Sequence, residues 1–284
     1  MARIAYVNGR YRPIDEAAVG VEERGFQFSD GVYEVVKFVK GAFSDLDRHM
    51  ARLGRSLDGL RIAWPMTEKA LRLVLAETVR RNGLRDALVY IQVSRGVAPR
   101  NHLFPKGAPS SLVVTVRRPK APGADEIENG VAVCSQPDIR WGRCDIKSVS
   151  LLANVLARQA AQEQGAREAW LVDEHEGVVT EGSSSNAYIV DREGRLRTHP
   201  LGEAILGGVT RSVILEMARA DGITVDERAF TLEEAKQARE AFLTSTSSFV
   251  TPVTRIDDHS IGNGHPGSVT RRLIELYNNH LVAC

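Results

Sequence analysis

Pro119, Pro122 and Gly123 break the chain between two stretches that each carry their own strands and helices. A chain of 284 residues punctuated in this way has the length to bury two cores. The pattern predicts a smaller α+β domain over 1–118, a linker over 119–123 and a larger α/β domain over 124–284. In the first stretch, residues 3–8 and 11–14 form a predicted hairpin around Asn8-Gly9, and Gly31–Val39 reads as a strand. Leu46, Met50, Leu53, Leu57 and Leu60 recur at helical spacing. Thr67 caps a second helix that stops at Gly83, and Leu88–Ser94 and Leu112–Arg118 read as strands.

The second stretch opens with a strand near 131–135, followed by a helix over 151–165. Strands at 169–173 and 186–191 flank an expected turn carrying Glu181. Gly207-Gly208 precede a helix over 209–220 with Val209, Val213, Ile214 and Met217 on its apolar face. Thr231 and Glu234 have the spacing of a capping box. A short strand over 241–243 and a last helix over 269–281 complete the pattern.

Composition excludes several classes. The net charge of +1 gives no attraction to nucleic acid or an anionic membrane. The opening Met-Ala-Arg-Ile-Ala-Tyr lacks the apolar core of a signal peptide, and no run approaches transmembrane length. Cys134, Cys144 and Cys284 are odd in number and lack metal-ligand spacing, which fits reduced thiols in a cytoplasm. The seven histidines are scattered, so no metal is expected.

Two short segments carry chemistry. Lys147 lies in Cys144-Asp145-Ile146-Lys147-Ser148, between a strand and a helix. Glu181 lies in Thr180-Glu181-Gly182-Ser183-Ser184-Ser185-Asn186. A lysine amine can form a Schiff base with an aldehyde cofactor, and a buried glutamate can keep a pyridine nitrogen protonated. The pair therefore raises pyridoxal 5'-phosphate (PLP) as a cofactor, which also needs a phosphate cradle. Leu206-Gly207-Gly208-Val209-Thr210-Arg211 offers glycines and a helix N-terminus, although taken alone the same residues read more readily as a plain glycine turn. Ser245 and Thr246 at a strand end could add hydroxyls, and Arg52 on the first helix could add a cation or lie solvated. Arg100 and His102 sit in the proline-bounded loop Pro99–Pro105. A guanidinium fork there would suit a carboxylate, and an exposed polar loop is the alternative. Tyr33 shares a strand face with Val35 and could be core or site.

Taken together, the segments Arg24-Gly25-Phe26-Gln27-Phe28 through Asp30-Gly31-Val32-Tyr33-Glu34, Asp138-Ile139-Arg140-Trp141 through Lys147-Ser148, and Thr180 through Asn186 resemble the fold-type IV PLP enzymes. Within these the chain is most similar to the bacterial D-amino acid aminotransferases, over nearly its whole length. The resemblance implies a two-domain fold and a homodimer, with Lys147 as the catalytic, cofactor-bearing lysine and Glu181 on the pyridine nitrogen. It implies a phosphate site from Arg52, Val209, Thr210 and Thr246, with Ser245 beside them, and Leu206 against the cofactor ring. Tyr33, Arg100 and His102 become the substrate-carboxylate site, the last two reaching the neighbouring subunit. The implied reaction exchanges amino groups between D-alanine or D-glutamate and pyruvate or 2-oxoglutarate. Phe26, where a hydroxylated aromatic is common, and Asn101, between the two loop residues, depart from the family pattern and bear on substrate breadth. Branched-chain L-amino acid aminotransferases and 4-amino-4-deoxychorismate lyase share the cofactor residues and stand as the alternatives.

Overall fold

A computed structural model describes residues 3–120 and 123–283; Pro122 of the expected linker and Cys284 lie outside them. The chain divides into two compact units.

The first unit comprises the residues up to Pro119 together with Ile146–Ser150. Its strands are β1 (Ile4–Val7), β2 (Arg10–Pro13), β3 (Gly31–Val39), β4 (Ala42–Phe43), β5 (Ala87–Ser94) and β6 (Ser111–Arg117), and its helices are α1 (Arg24–Phe28), α2 (Leu46–Leu60) and α3 (Glu68–Asn82). The sheet is antiparallel throughout, in the order β2-β1-β6-β5-β3-β4. Asn8 and Gly9 both take positive φ, at 44° and 92°, the geometry that a two-residue hairpin requires. Thr67 caps α3 by accepting from Ala70 N at 3.3 Å. One sheet face buries Val32, Val36, Ile91 and Val114 against Met50, Leu53 and Leu57 of α2 and Leu71 and Leu75 of α3. α1 was not expected, because five residues are too few to show a helical period.

Ile146–Ser150 was expected with the second half, yet its backbone joins β3. Tyr33 N donates to Lys147 O at 2.9 Å and Val149 N to Gly31 O at 3.0 Å, while the buried Ile146 enters the core cluster beneath. Lys147 N also donates to Ser56 Oγ of α2 at 3.2 Å. The lysine backbone is thus fixed by a strand and a helix of the first unit.

The second unit comprises Lys120–Asp145 and Leu151–Ala283. Its helices are α4 (Ala124–Glu128), α5 (Leu152–Glu163), α6 (Val209–Ala220), α7 (Leu232–Lys236) and α8 (Ser268–Ala283). Its strands are β7 (Val131–Pro137), β8 (Glu168–Val172), β9 (Val179–Gly182), β10 (Asn186–Val190), β11 (Leu196–Thr198), β12 (Val225–Asp226), β13 (Glu240–Ser245), β14 (Phe249–Ile256) and β15 (His259–Ser260). The order is β12-β11-β10-β13-β14-β7-β8-β9, with β15 on β14. Pairings β11/β12, β14/β7 and β7/β8 are parallel and the rest antiparallel. Val213 and Ile214 of α6 bury against Leu273 and Tyr277 of α8 and the stacked pair Tyr188–Phe242, whose ring centres lie 4.5 Å apart. Thr231 and Glu234 make the expected capping box, with Glu234 N donating to Thr231 Oγ1 at 3.1 Å and Thr231 N to Glu234 Oε2 at 2.8 Å.

The short elements α4, β11, β12 and β15 were not expected, and two longer-range differences bear on the site. β14 was hidden by Pro252, a residue that argues against a central strand. Pairing with β7 begins only at Val253, so that ladder never needs the missing N–H. Glu181 lies in β9 rather than in a turn, opposite β8, with the turn displaced to Ser183–Ser185. The polar run Thr180-Glu181 gives no apolar signal because its side chains are satisfied by hydrogen bonds rather than by packing.

Candidate active site

In the first unit, β3 alternates between buried and half-buried side chains from Val32 to Val36. Val32, Glu34 and Val36 point into the helices, and Tyr33 and Val35 point to the other face. Lys147 Nζ lies 4.2 Å from the centre of the Tyr33 ring. Tyr33 stacks on Tyr90 of β5 at 5.6 Å, and Tyr90 OH donates to Gln92 Oε1 at 2.8 Å. Burial, helped by the neighbouring Tyr33, pushes the Tyr90 phenol up to about 12, so it serves as a neutral donor.

Arg52 is buried on α2, and its partner is Glu34, which nothing in the local sequence marks as a site residue. Arg52 Nε donates to Glu34 Oε1 at 2.7 Å and Nη2 to Oε2 at 2.9 Å. His49 Nδ1 lies 2.8 Å from the same Oε2. Burial opposes a charged Glu34, but the Arg52 guanidinium and the His49 hydrogen bond hold its carboxyl well below the usual range. The alternation puts this carboxylate at a core position of the strand, where it requires a buried cation.

Arg100 and His102 are brought together around Phe28. The Arg100 guanidinium lies 4.7 Å from the Phe28 ring centre and the His102 ring 5.4 Å from it. Arg100 and His102 are exposed. Asn101 folds the loop by accepting from Leu103 N at 3.0 Å.

In the second unit, Glu181 is buried and accepts hydrogen bonds from Arg140 Nη1, from Asn186 Nδ2 at 3.2 Å and from Leu206 N at 3.1 Å. Arg140 also grips Asp138 with Nε at 2.8 Å and Nη2 at 2.6 Å. Burial works against the charge of Arg140, but Asp138 and Glu181 raise its pKa further still. Asp138 is correspondingly held below the carboxylate range despite its burial, by Arg140 and by the Thr180 hydroxyl. Arg140 carries no local mark of this part in the sequence, because Glu181 lies 41 residues away. Glu168 of β8 ties down the serine turn, accepting from Ser184 N at 2.6 Å and Ser185 Oγ at 2.9 Å.

Among the residues expected to hold a phosphate, Val209 and Thr210 open α6 and Ser245 ends β13, and Asn186 touches both elements. Asn186 begins β10 opposite Thr244, the residue before Ser245, and its amide donates to Leu206 O at 2.9 Å. Gly208 is the N-cap of α6 and supplies no side-chain acceptor to its first N–H groups. A side chain at Gly208 would collide with the Asn186 amide. Val209 and Thr210 are buried in the first turn of α6, and Ser245 accepts from Ser248 N at 3.0 Å in the following loop. A helix N-terminus approached through glycine, with Thr210 in its first turn, fits a phosphate. A buried carboxylate locked by three donors fits a protonated ring nitrogen. The arrangement thus fits both ends of a pyridoxal phosphate.

The amino-transferase class IV family profile matches residues 31–256. A D-alanine aminotransferase of Bacillus licheniformis is 41% identical over 97% of this chain and 96% of its own length. Among solved structures, the branched-chain amino acid aminotransferase of Escherichia coli superimposes with a TM-score of 0.91 at 24% identity, covering 98% of this chain and 94% of that one. The branched-chain aminotransferase of Thermobaculum terrenum, solved in its PLP form, gives 0.83 at 26% identity over 99% of this chain and 94% of its own.

Proposed function

Because the chain belongs to the class IV aminotransferase family, we propose that it exchanges amino groups between D-amino acids, D-alanine and D-glutamate, and the 2-oxo acids pyruvate and 2-oxoglutarate. The single observation that carries the substrate class is the 41% identity to a D-alanine aminotransferase across 97% of the chain. The branched-chain structures share the fold at 24% and 26% identity, and L-leucine is accordingly the competing donor.

Bound pyridoxal phosphate supplies an aldehyde for the amino group and a ring that accepts electrons. Lys147 holds the cofactor through Nζ and moves the proton at the substrate α-carbon. Its backbone, anchored to Gly31, Tyr33 and Ser56, gives that amine a fixed pivot. Glu181 holds the proton on the ring nitrogen, and Arg140, Asn186 and Leu206 N fix its carboxylate. Arg52, Val209, Thr210, Ser245 and Thr246 bind the phosphate, and Leu206 packs on the ring. Tyr33, Arg100 and His102 orient the substrate carboxylate.

The same reading takes the protein as a cytoplasmic homodimer in which Arg100 and His102 serve the neighbouring subunit. Support comes from α5, where Leu152, Val155 and Leu156 leave an apolar face exposed, and from the free thiols Cys134 and Cys144. No helix among the described residues is long and apolar enough to cross a membrane. The division into domains of 1–118 and 124–284 joined by 119–123 belongs to this reading, with Ile146–Ser150 packed on the first.

The test is a half-reaction. The yellow holoenzyme is mixed separately with D-alanine and L-leucine while the cofactor absorbance is followed. Rapid bleaching by D-alanine alone is expected. Bleaching by L-leucine alone would move the protein to the branched-chain class and remove the carboxylate roles of Arg100 and His102.

A further inference from the structure

Asp30, just before β3, is where two arginines from different segments meet. Arg24 Nε donates to Asp30 Oδ2 at 2.8 Å. Arg95 donates with Nε to Oδ2 at 2.7 Å and with Nη2 to Oδ1 at 2.9 Å. The three side chains are 3%, 12% and 10% exposed for Arg24, Asp30 and Arg95. Burial resists ionisation of Asp30, but the hydrogen bonds from Arg95 and Arg24 hold its carboxyl below the usual range. One carboxylate thereby offsets two guanidiniums that would otherwise repel each other in a low-dielectric setting.

The other arms of both arginines lead to the loop that carries Arg100 and His102. Arg24 Nη1 donates to Asn101 O at 2.5 Å, and its guanidinium lies 4.8 Å from the ring centre of Phe28, the ring that Arg100 and His102 also approach. Arg95 donates to Leu60 O at 2.7 Å and Arg61 O at 2.9 Å at the end of α2. Its guanidinium is 3.6 Å from the centre of Phe104, which Arg61 approaches at 4.8 Å. The loop is therefore held at Asn101 by Arg24 and at Phe104 by Arg95, with Arg100 and His102 on either side of the first anchor. Both anchors depend on the same carboxylate.

We propose that Asp30 is a positioning residue for substrate recognition: through Arg24 and Arg95 it sets where Arg100 and His102 present their donors to a substrate carboxylate. The proposal rests on the reading that Arg100 and His102 bind that carboxylate. A carboxylate that spans two donors loses affinity steeply when one donor shifts by about an ångström.

The experiment uses the holoenzyme and reads KM and kcat for D-alanine together with inhibition by propionate, a carboxylate without an amine. Asp30→Asn removes the charge while keeping the shape. It is expected to raise KM and the propionate inhibition constant together by about tenfold, with kcat changed by no more than about threefold. Phe104→Leu leaves the buried ion cluster intact and releases only the second anchor, so it reports even if Asp30→Asn folds poorly. It is expected to shift the same two constants by about threefold. A fall in kcat with KM and propionate inhibition unchanged, in both variants, would mean a merely structural role and overturn the proposal. Arg100→Ala separates the two levels. If it leaves propionate inhibition unchanged, the carboxylate reading falls and the proposal with it. If it weakens propionate while the Asp30 and Phe104 variants do not, only the positioning role falls.

Discussion

Glu34 and Arg52 form a two-bond ion pair on the helix-covered face of β3, at 2.7 Å and 2.9 Å, with the carboxylate fully shielded from water. The pair joins the strand that carries Tyr33 to the helix that carries the proposed phosphate-binding arginine. Breaking it leaves a buried guanidinium without its counter-charge, which costs more than the pair itself contributes. Glu34→Gln is therefore expected to destabilise the protein by about 3–5 kcal/mol, measured by urea unfolding at pH 7.

The same pair gives a pH signature. Glu34 has a folded-state pKa below its unfolded value of about 4.3, so its contribution is complete above pH 5 or so and is lost as pH falls toward the folded value. Asp138 and Asp30 are depressed in the same direction and act in the same window. Urea midpoints are expected to fall steeply below about pH 5, and less steeply in Glu34→Gln. Equal slopes would show that Glu34 is not ionised in the folded state.

Lys147→Ala is expected to abolish transamination while the fold survives. The anchors of this segment are its backbone bonds and Ile146, none of which uses the lysine side chain. Far-ultraviolet circular dichroism and a melting curve close to those of the parent, with no turnover, are the expected results. Substantial turnover would contradict the assignment of Nζ.

Arg140→Met removes the charged donor from both Glu181 and Asp138. Two buried carboxylates then face each other's surroundings without a cation, and Glu181 loses its fixed orientation. Cofactor binding is expected to weaken by about 2–3 kcal/mol, roughly 30- to 150-fold in Kd, read by equilibrium dialysis. An unchanged Kd would show that Asn186 and Leu206 N suffice to hold Glu181.

Gly208→Ala places a methyl group against the Asn186 amide. The cradle can accept it only by moving either the first turn of α6 or Asn186, which also holds Glu181 and Leu206. A loss of about 1–3 kcal/mol in cofactor affinity is expected, with a smaller change at Gly207, where a Cβ would meet only Leu201 at 3.6 Å.

The sequence by itself determined much of this molecule. Helical spacing gave α2 and α6, Asn8-Gly9 gave the first hairpin, and Thr231 with Glu234 gave a cap, because each is a local rule satisfied within a few residues. Lys147, Glu181 and the Gly207-Gly208 run stood out only as a set, through the resemblance of their segments to the fold-type IV PLP enzymes, because a lysine, a glutamate or a glycine turn taken singly has no local mark of a site. Tertiary structure alone decided the partners. Glu34 is 18 residues from Arg52 and Arg140 is 41 from Glu181, and nothing local distinguishes a buried carboxylate with a distant cation from a solvated one. Only the folded chain could show that Ile146–Ser150 pairs with β3 or that Pro252 begins where the β7 ladder does not yet need its N–H. These features arise from burial and long-range hydrogen bonding, which short-range periodicity does not encode.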